Sequence, residues 1–191
     1  MNICVYGAAS NIIDDIYIKD GEKLGVEISK RGHSLVFGGG AGGLMGAVAR
    51  GVYGGGGNIV GVAPTFFNVD GILFENCNEL IRTETMRERK QTMENRADGF
   101  VVTPGGIGTF EEFFEILTLK QLGRHNKPIA VLNTNGYYDD MAAFIENAIK
   151  QKFLNKECKL LYEFVDSAEK ALDYIEGYDM EKINITKLKS I

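Results

Sequence analysis

Five short apolar runs recur along this chain: NICVYG (2–7), SLVF (34–37), NIVGVAP (58–64), GFVVTP (99–104) and PIAVLN (128–133). Stretches of helical length and amphipathic period separate them, so the hydrophobic pattern switches repeatedly between a compact run and a 3.6-residue repeat. Runs apolar on both faces belong to buried parallel strands, and parallel neighbours need crossover helices between them. The pattern therefore predicts an α/β fold, a Rossmann-like doubly wound parallel sheet covered on both faces. Two shorter strands are expected near Glu79–Arg82 and Leu160–Val165. Helices are expected near Asp14–Arg31, Leu44–Tyr53, Thr85–Ala97, Thr109–Leu122 and Tyr138–Gln151. A last helix opens at Asp166 or Ser167, where Asp166 and Glu169 have capping-box spacing.

A length of 191 residues suits one such domain, 1–191, better than two. No internal repeat or linker breaks it, and the end from Glu181 to Ile191, EKINITKLKSI, reads as loosely held. A net charge of −5 provides no basic field for a polyanion, so nucleic acid is not an expected partner. Cys4, Cys77 and Cys158 are odd in number and widely spaced, which predicts neither disulfides nor a zinc site and suits a reducing cytoplasm. No run is long enough to span a membrane, and Met1–Gly7 lacks the pattern of a signal peptide.

The unusual feature of the composition is 24 glycines beside 3 prolines. Two glycine clusters follow strands, at the end of the sheet where ligands bind in this class of fold. The first, FGGGAGGLMG (37–46), satisfies G-x-G-x-x-G between a strand and a helix. It follows the second strand, and the third ends in Ala63-Pro64 with no acid for a ribose hydroxyl, which disfavours a dinucleotide site. It also lacks the lysine of a Walker loop. Two readings stay open for Gly38–Gly43, a packing turn and a ligand cradle. Gly54–Gly57 reads as a flexible turn.

The second cluster, TPGGIGTFEE (103–112), carries more. Proline closes the strand, the glycines free backbone N–H groups to turn towards one point, and a helix N-terminus follows with its dipole favouring an anion. With Thr109 beginning the helix, Thr109 and Glu112 have capping-box spacing, so capping is one reading of Glu112. The other is functional: Phe110, Phe113, Phe114, Leu117 and Leu122 supply an apolar side, and Glu112 and Glu115 fall off it near the anion site. On the preceding helix, Arg89 and Lys90 stand near the start, against the dipole, which implies another gain from holding them there. Arg96 reads as solvated surface, and Met86 and Met93 as core.

These residues together resemble the LONELY GUY (LOG) family of phosphoribohydrolases, often mislabelled as lysine decarboxylases. The match lies in P-G-G-x-G-T-x-x-E at Pro104–Glu112, M-x-x-R-K at Met86–Lys90 and G-G-G-x-x-G-L-M-G at Gly38–Gly46, with QLG-x-H-x-KP at Gln121–Pro128 behind them. The resemblance implies cleavage of the N-glycosidic bond of adenine-type nucleoside 5′-monophosphates, AMP or cytokinin riboside monophosphates, to free base and ribose 5-phosphate. It implies Arg89 and Glu112 as the catalytic pair. The implied substrate-binding set is Lys90, Gly105, Gly106, Ile107, Gly108, Thr109, Glu111 and Thr118, with Gly39 and Gly40 from the first cluster. A homodimer is implied as well.

The chain departs from the family at Arg87, where histidine is usual, and at Gly7-Ala8-Ala9-Ser10, where G-S-S is common. The loop NVDGILFE (68–75) lacks the family's substrate-binding glutamate, leaving Asp70 and Glu75 as its acids.

Glycosidic cleavage develops positive charge on the ribose ring, which a fixed carboxylate such as Glu112 stabilises. No metal or cofactor is called for: His33 and His125 lack acids at ligand spacing, and no motif marks a Schiff-base lysine. The alternative is a carrier of a nucleotide or pterin cofactor on the same fold, which needs the cradle but not the carboxylate.

Overall fold

Seven strands form one sheet in the computed structural model, which describes residues 1–67 and 71–180. Asp70 and the segment 181–191 lie outside the described residues. The strands are β1 (Asn2–Tyr6), β2 (Ser34–Phe37), β3 (Ile59–Pro64), β4 (Glu79–Thr83), β5 (Gly99–Val102), β6 (Ile129–Leu132) and β7 (Glu163–Val165). Their order is β4-β3-β2-β1-β5-β6-β7, and every pair is parallel. The chain winds outward from β1 to β4, crosses back, and winds the other way from β5. Strand order thus reverses between β1 and β5, whose registers align Tyr6 with Val102. In sheets of this kind such a reversal marks the crevice where a ligand binds, beyond the carboxyl ends of the strands.

Helices cover both faces: α1 (Asp15–Lys30), α2 (Gly43–Gly54), α3 (Met86–Arg96), α4 (Ile107–Gln121), α5 (Asp139–Lys150) and α6 (Ala168–Glu176). One core layer packs Leu24, Ile28, Val48, Val52 and Leu172 of α1, α2 and α6 against Ile3, Val5, Leu35 and Phe37. The other packs Met93, Phe113, Ile116 and Ile145 of α3, α4 and α5 against Cys4, Tyr6, Val36, Phe100 and Val131. Alternate side chains of one strand feed opposite layers, as the two-residue period requires.

Three boundaries differ from the sequence reading. α4 begins at Ile107 instead of Thr109, because Gly106 takes an extended conformation and its carbonyl accepts from Phe110 N–H at 3.0 Å. Strand β7 is short because Lys156–Leu161 winds into a 3-10 turn before it. Ser167, not Asp166, caps α6, accepting from Lys170 N–H at 3.3 Å, while Asp166 pairs with the Lys170 side chain.

The buried stripe of α4 runs Thr109, Phe113, Ile116 and Lys120. Phe110 and Leu117 flank it, but Phe114 and Leu122 are exposed, so the expected apolar side was placed too wide. Met93 is core as expected, whereas Met86 at the first turn of α3 is exposed. Half-exposed Arg96 holds Glu79 through both terminal nitrogens, at 3.1 and 2.9 Å. His125 accepts from Lys127 N–H and donates to Ile116 O, a structural role remote from the crevice.

Candidate active site

Helix α3 opens with a complete capping box: Glu88 N–H donates to the Thr85 hydroxyl, and the Glu88 side chain accepts from Thr85 N–H. That cap sets the rotation of α3, and one residue later Arg89 turns inward to become 5 % exposed. A buried guanidinium must have its N–H groups satisfied. Its Nε donates to Val62 O within β3, at 3.1 Å, and Nη1 donates to Glu112 Oε1 at 3.0 Å. Gly38 is the seat beneath it: a Cβ there would stand 1.8 Å from Arg89 Nη2. The first glycine cluster therefore begins with a residue that must lack a side chain so that Arg89 can lie flat.

Glu112 reaches this arginine from α4 and is nearly buried itself, its side chain 12 % exposed. Because α4 begins at Ile107, Thr109 sits in the third helical position, buried, and the Thr109–Glu112 capping box does not form. Burial pushes the Glu112 carboxyl above its ordinary value, against the opposing pull of Arg89. Burial also holds the nearby Tyr6 hydroxyl and Cys4 thiol protonated, and the Glu112 charge adds to both effects.

The loop before α4 faces the same crevice. Gly106 is the N-cap and has no side-chain cap, and Gly106, Ile107 and Gly108 are exposed. The first-turn N–H groups of a helix have no intrahelical acceptor, so here they remain available to an anion. Helix α2 contrasts with it. Gly43 N–H there donates to Asn11 Oδ1 at 2.7 Å, and Met45 N–H to Ala8 O at 3.0 Å. Gly43, at φ 58°, lets the loop after β1 approach so closely that a Cβ would lie 2.6 Å from Ala8 O. The second half of the first cluster is therefore a packing turn. Gly39 and Gly40 lie beside the Arg89 seat, with Gly39 O accepting from Phe74 N–H and Gly40 bridged to Leu73.

Lys90, one residue past Arg89, forms ion pairs with Glu111 and, at 2.8 Å, with Glu115. Burial lowers its pKa, but the two carboxylates more than offset this and the net shift is upward. Thr118 continues the outer face of α4 that carries Glu111 and Glu115 and is exposed, so within one chain it does not join the Arg89–Glu112 pair. Glu75 is exposed in the loop before β4. Two residues that sequence reasoning missed, Tyr137 and Tyr138, hold the glycine loop from behind, donating to Gly105 O and Thr103 O at 2.6 and 2.7 Å. The Asn-Gly turn just before them, NTNGYYD, was the available signal.

Residues 45–175 match the family described as "Possible lysine decarboxylase". The probable cytokinin riboside 5′-monophosphate phosphoribohydrolase LOGL5 of Oryza sativa subsp. japonica is 36% identical over 187 residues, covering 98% of this chain and 76% of that protein. The cytokinin riboside 5′-monophosphate phosphoribohydrolase LOG2 of Arabidopsis thaliana is 35% identical over 176 residues, covering 92% and 83%. In structure, the molybdenum cofactor carrier protein MCP of Chlamydomonas reinhardtii superposes with a TM-score of 0.67 at 19% identity, covering 92% of this chain and 95% of that one. That last likeness concerns the fold alone. The sequence matches run through the α3 arginine, the α4 glutamate and the glycine loop between them, and the chain belongs to the LOG family of phosphoribohydrolases.

Proposed function

We propose that this protein hydrolyses the N-glycosidic bond of purine nucleoside 5′-monophosphates, AMP or a cytokinin riboside monophosphate, releasing free base and ribose 5-phosphate. The observation that carries this reading is the buried Arg89–Glu112 pair, 3.0 Å apart, beside an uncapped helix N-terminus. The residues from Gly105 to Thr109 hold the 5′-phosphate through backbone N–H groups and the α4 dipole. Glu112 lies six residues past the cap, about 9 Å along the helix axis, so a sugar anchored by its phosphate presents its ring to the carboxylate.

As the base leaves, positive charge grows on the ribose ring. Glu112 stabilises that charge and orients the attacking water. Arg89 keeps the carboxylate in place and, with Lys90, Glu111, Gly39 and Gly40, borders the sugar and base. Binding energy from the remote phosphate is spent on orienting the sugar. Purified protein incubated with AMP is expected to release adenine, seen by chromatography; an inert wild type towards AMP and cytokinin monophosphates would refute the reading. Tight nucleotide binding without product would favour the carrier alternative.

The protein is proposed to act in the cytoplasm, where its three unpaired cysteines stay reduced. Among the described residues no helix is long and apolar enough to cross a membrane. It is also proposed to be a homodimer. Ile107, Phe114 and Leu122 are 84%, 39% and 54% exposed along the outer face of α4, interleaved with Thr118 and the acids Glu111 and Glu115, and offer apolar contacts to a second copy. Phe114→Glu is expected to convert a dimer into a monomer in sedimentation analysis; a wild type already monomeric would remove this part of the proposal.

A further inference from the structure

Three consecutive carbonyls, from Thr103 to Gly105, are taken by donors from distant parts of the chain, and the next, that of Gly106, accepts the first bond of α4. The Tyr138 hydroxyl donates to Thr103 O at 2.7 Å, Ala8 N–H to Pro104 O at 3.1 Å, the Tyr137 hydroxyl to Gly105 O at 2.6 Å, and Phe110 N–H to Gly106 O at 3.0 Å. In a trans peptide the C=O and the following N–H point in opposite directions. Pinning Gly105 O to Tyr137 therefore turns Gly106 N–H away from the tyrosine, and pinning Pro104 O to Ala8 does the same for Gly105 N–H. Gly106 is exposed and nothing lies within 4 Å of where a Cβ on it would stand, so a ligand has room beside this residue. An anion site needs this arrangement, because an unpinned peptide can flip and present a carbonyl oxygen to the anion.

Tyr137 is itself set by a turn built for the purpose. Asn133, just past β6, accepts from Tyr138 N–H and donates to Asp139, each at 2.7 Å. Asn135 and Gly136 follow with φ of 53° and 72°, a left-handed pair that only such residues adopt cheaply. The Thr134 hydroxyl ties the turn to Asp20 of α1 at 3.0 Å. The Tyr137 ring then meets Tyr17 and Tyr138 edge-on, with centroids 5.9 and 4.9 Å apart. Tyr138 is fully buried, whereas Tyr137 is 39% exposed, so the Tyr137 hydroxyl can be removed with its ring packing kept.

We propose that Tyr137 is a positioning residue for phosphate recognition: through Gly105 O, its hydroxyl holds the peptide whose N–H group meets the 5′-phosphate. This rests on the phosphoribohydrolase reading. The test is Tyr137→Phe, measured by steady-state kinetics with AMP and by inhibition with ribose 5-phosphate and with adenine. The KM for AMP and the inhibition constant for ribose 5-phosphate are expected to rise together by about three- to tenfold, the worth of one hydrogen bond. Little change is expected in kcat, since the lost interaction binds ground and transition states alike. Adenine, which carries no phosphate, should inhibit both proteins equally.

An unchanged KM and ribose 5-phosphate constant in an active variant would overturn the role of Tyr137 and leave the function standing. So would a loss confined to kcat, or equal weakening of adenine, which would mark a general structural effect. Tyr137→Leu, lacking ring and hydroxyl, should weaken ribose 5-phosphate at least as much as Tyr137→Phe; tighter binding by the leucine variant would also count against the inference. A wild type that neither cleaves monophosphates nor binds ribose 5-phosphate would remove both readings together.

Discussion

Glu112→Gln is expected to lower kcat for AMP hydrolysis by about a hundred- to ten-thousandfold, the range typical of losing a charged catalytic group. Glutamine keeps an oxygen acceptor for Arg89 Nη1 and nearly the same volume, so the fold and the phosphate loop should survive. Removing the arginine is the harsher change. Arg89→Ala strips the partner from a nearly buried carboxylate, and breaking a buried pair costs about 3–5 kcal/mol, unless Glu112 takes up a proton and becomes neutral. A comparable loss of turnover is expected from Arg89→Ala, with a lower melting temperature in addition. Retained turnover in folded Glu112→Gln would show that the carboxylate is not the group that meets the developing charge.

The pH profile offers a check without mutation. Burial raises the Glu112 pKa, so the acid limb of kcat/KM should lie above the ordinary carboxylate range if the ionised form is the working one. The part of that limb due to Glu112 should vanish from the residual activity of Glu112→Gln, leaving only the titration of the AMP phosphate, at about 6.

Lys120→Met is expected to stabilise the protein, by roughly 4–8 °C in Tm near pH 7 for a stabilisation of a few kcal/mol in a chain of this size. Lys120 is fully buried in the last turn of α4, and among the described residues its ammonium nitrogen has no hydrogen-bond partner. Among the described residues the Tyr178 ring compensates it, with the nitrogen 4.4 Å from the centroid. Burial lowers its pKa to about 7 from an ordinary 10.5. Between those values the unfolded chain binds the proton and the folded chain does not. Wild-type stability should therefore rise with pH across that window, by at most about 1.4 kcal/mol per unit. Below pH 7 the penalty is complete and constant.

Methionine removes the titrating group, so the gap between variant and wild type should be widest at pH 7 and shrink towards pH 10. Comparing the two proteins at each pH cancels the tyrosines that lie away from Lys120. Thermal unfolding of both proteins from pH 6 to 10 measures this. A gap independent of pH would mean that Lys120 is not buried as a lone amine. Lys120 also lies at the end of α4 far from the glycine loop, so it is no Schiff-base lysine for the crevice.

Much of the architecture was legible before any coordinates, because strand length, apolar period and glycine placement are local properties. The five apolar runs became β1, β2, β3, β5 and β6, and TPGGIG fell at the reversal of strand order. The family motifs singled out Arg89 and Glu112, which meet across 23 residues. Local spacing misled where two local solutions competed. Thr109 and Glu112 are spaced as a capping box, yet Gly106 begins the helix earlier and releases Glu112 to Arg89.

Other features have no local signature at all. In one dimension the second glycine cluster reads as an anion cradle and the first as either a cradle or a packing turn, and only the folded chain shows that the loop after β1 occupies the donors of α2 while those of α4 stay open. Gly38 as the seat of Arg89, the tyrosines behind the loop and the lone amine of Lys120 likewise depend on which elements become neighbours. Backbone propensity and hydrophobic period act over a few residues and so are written along the chain. Hydrogen-bond partners and burial are settled by strand order and helix placement, which join residues that the sequence keeps far apart.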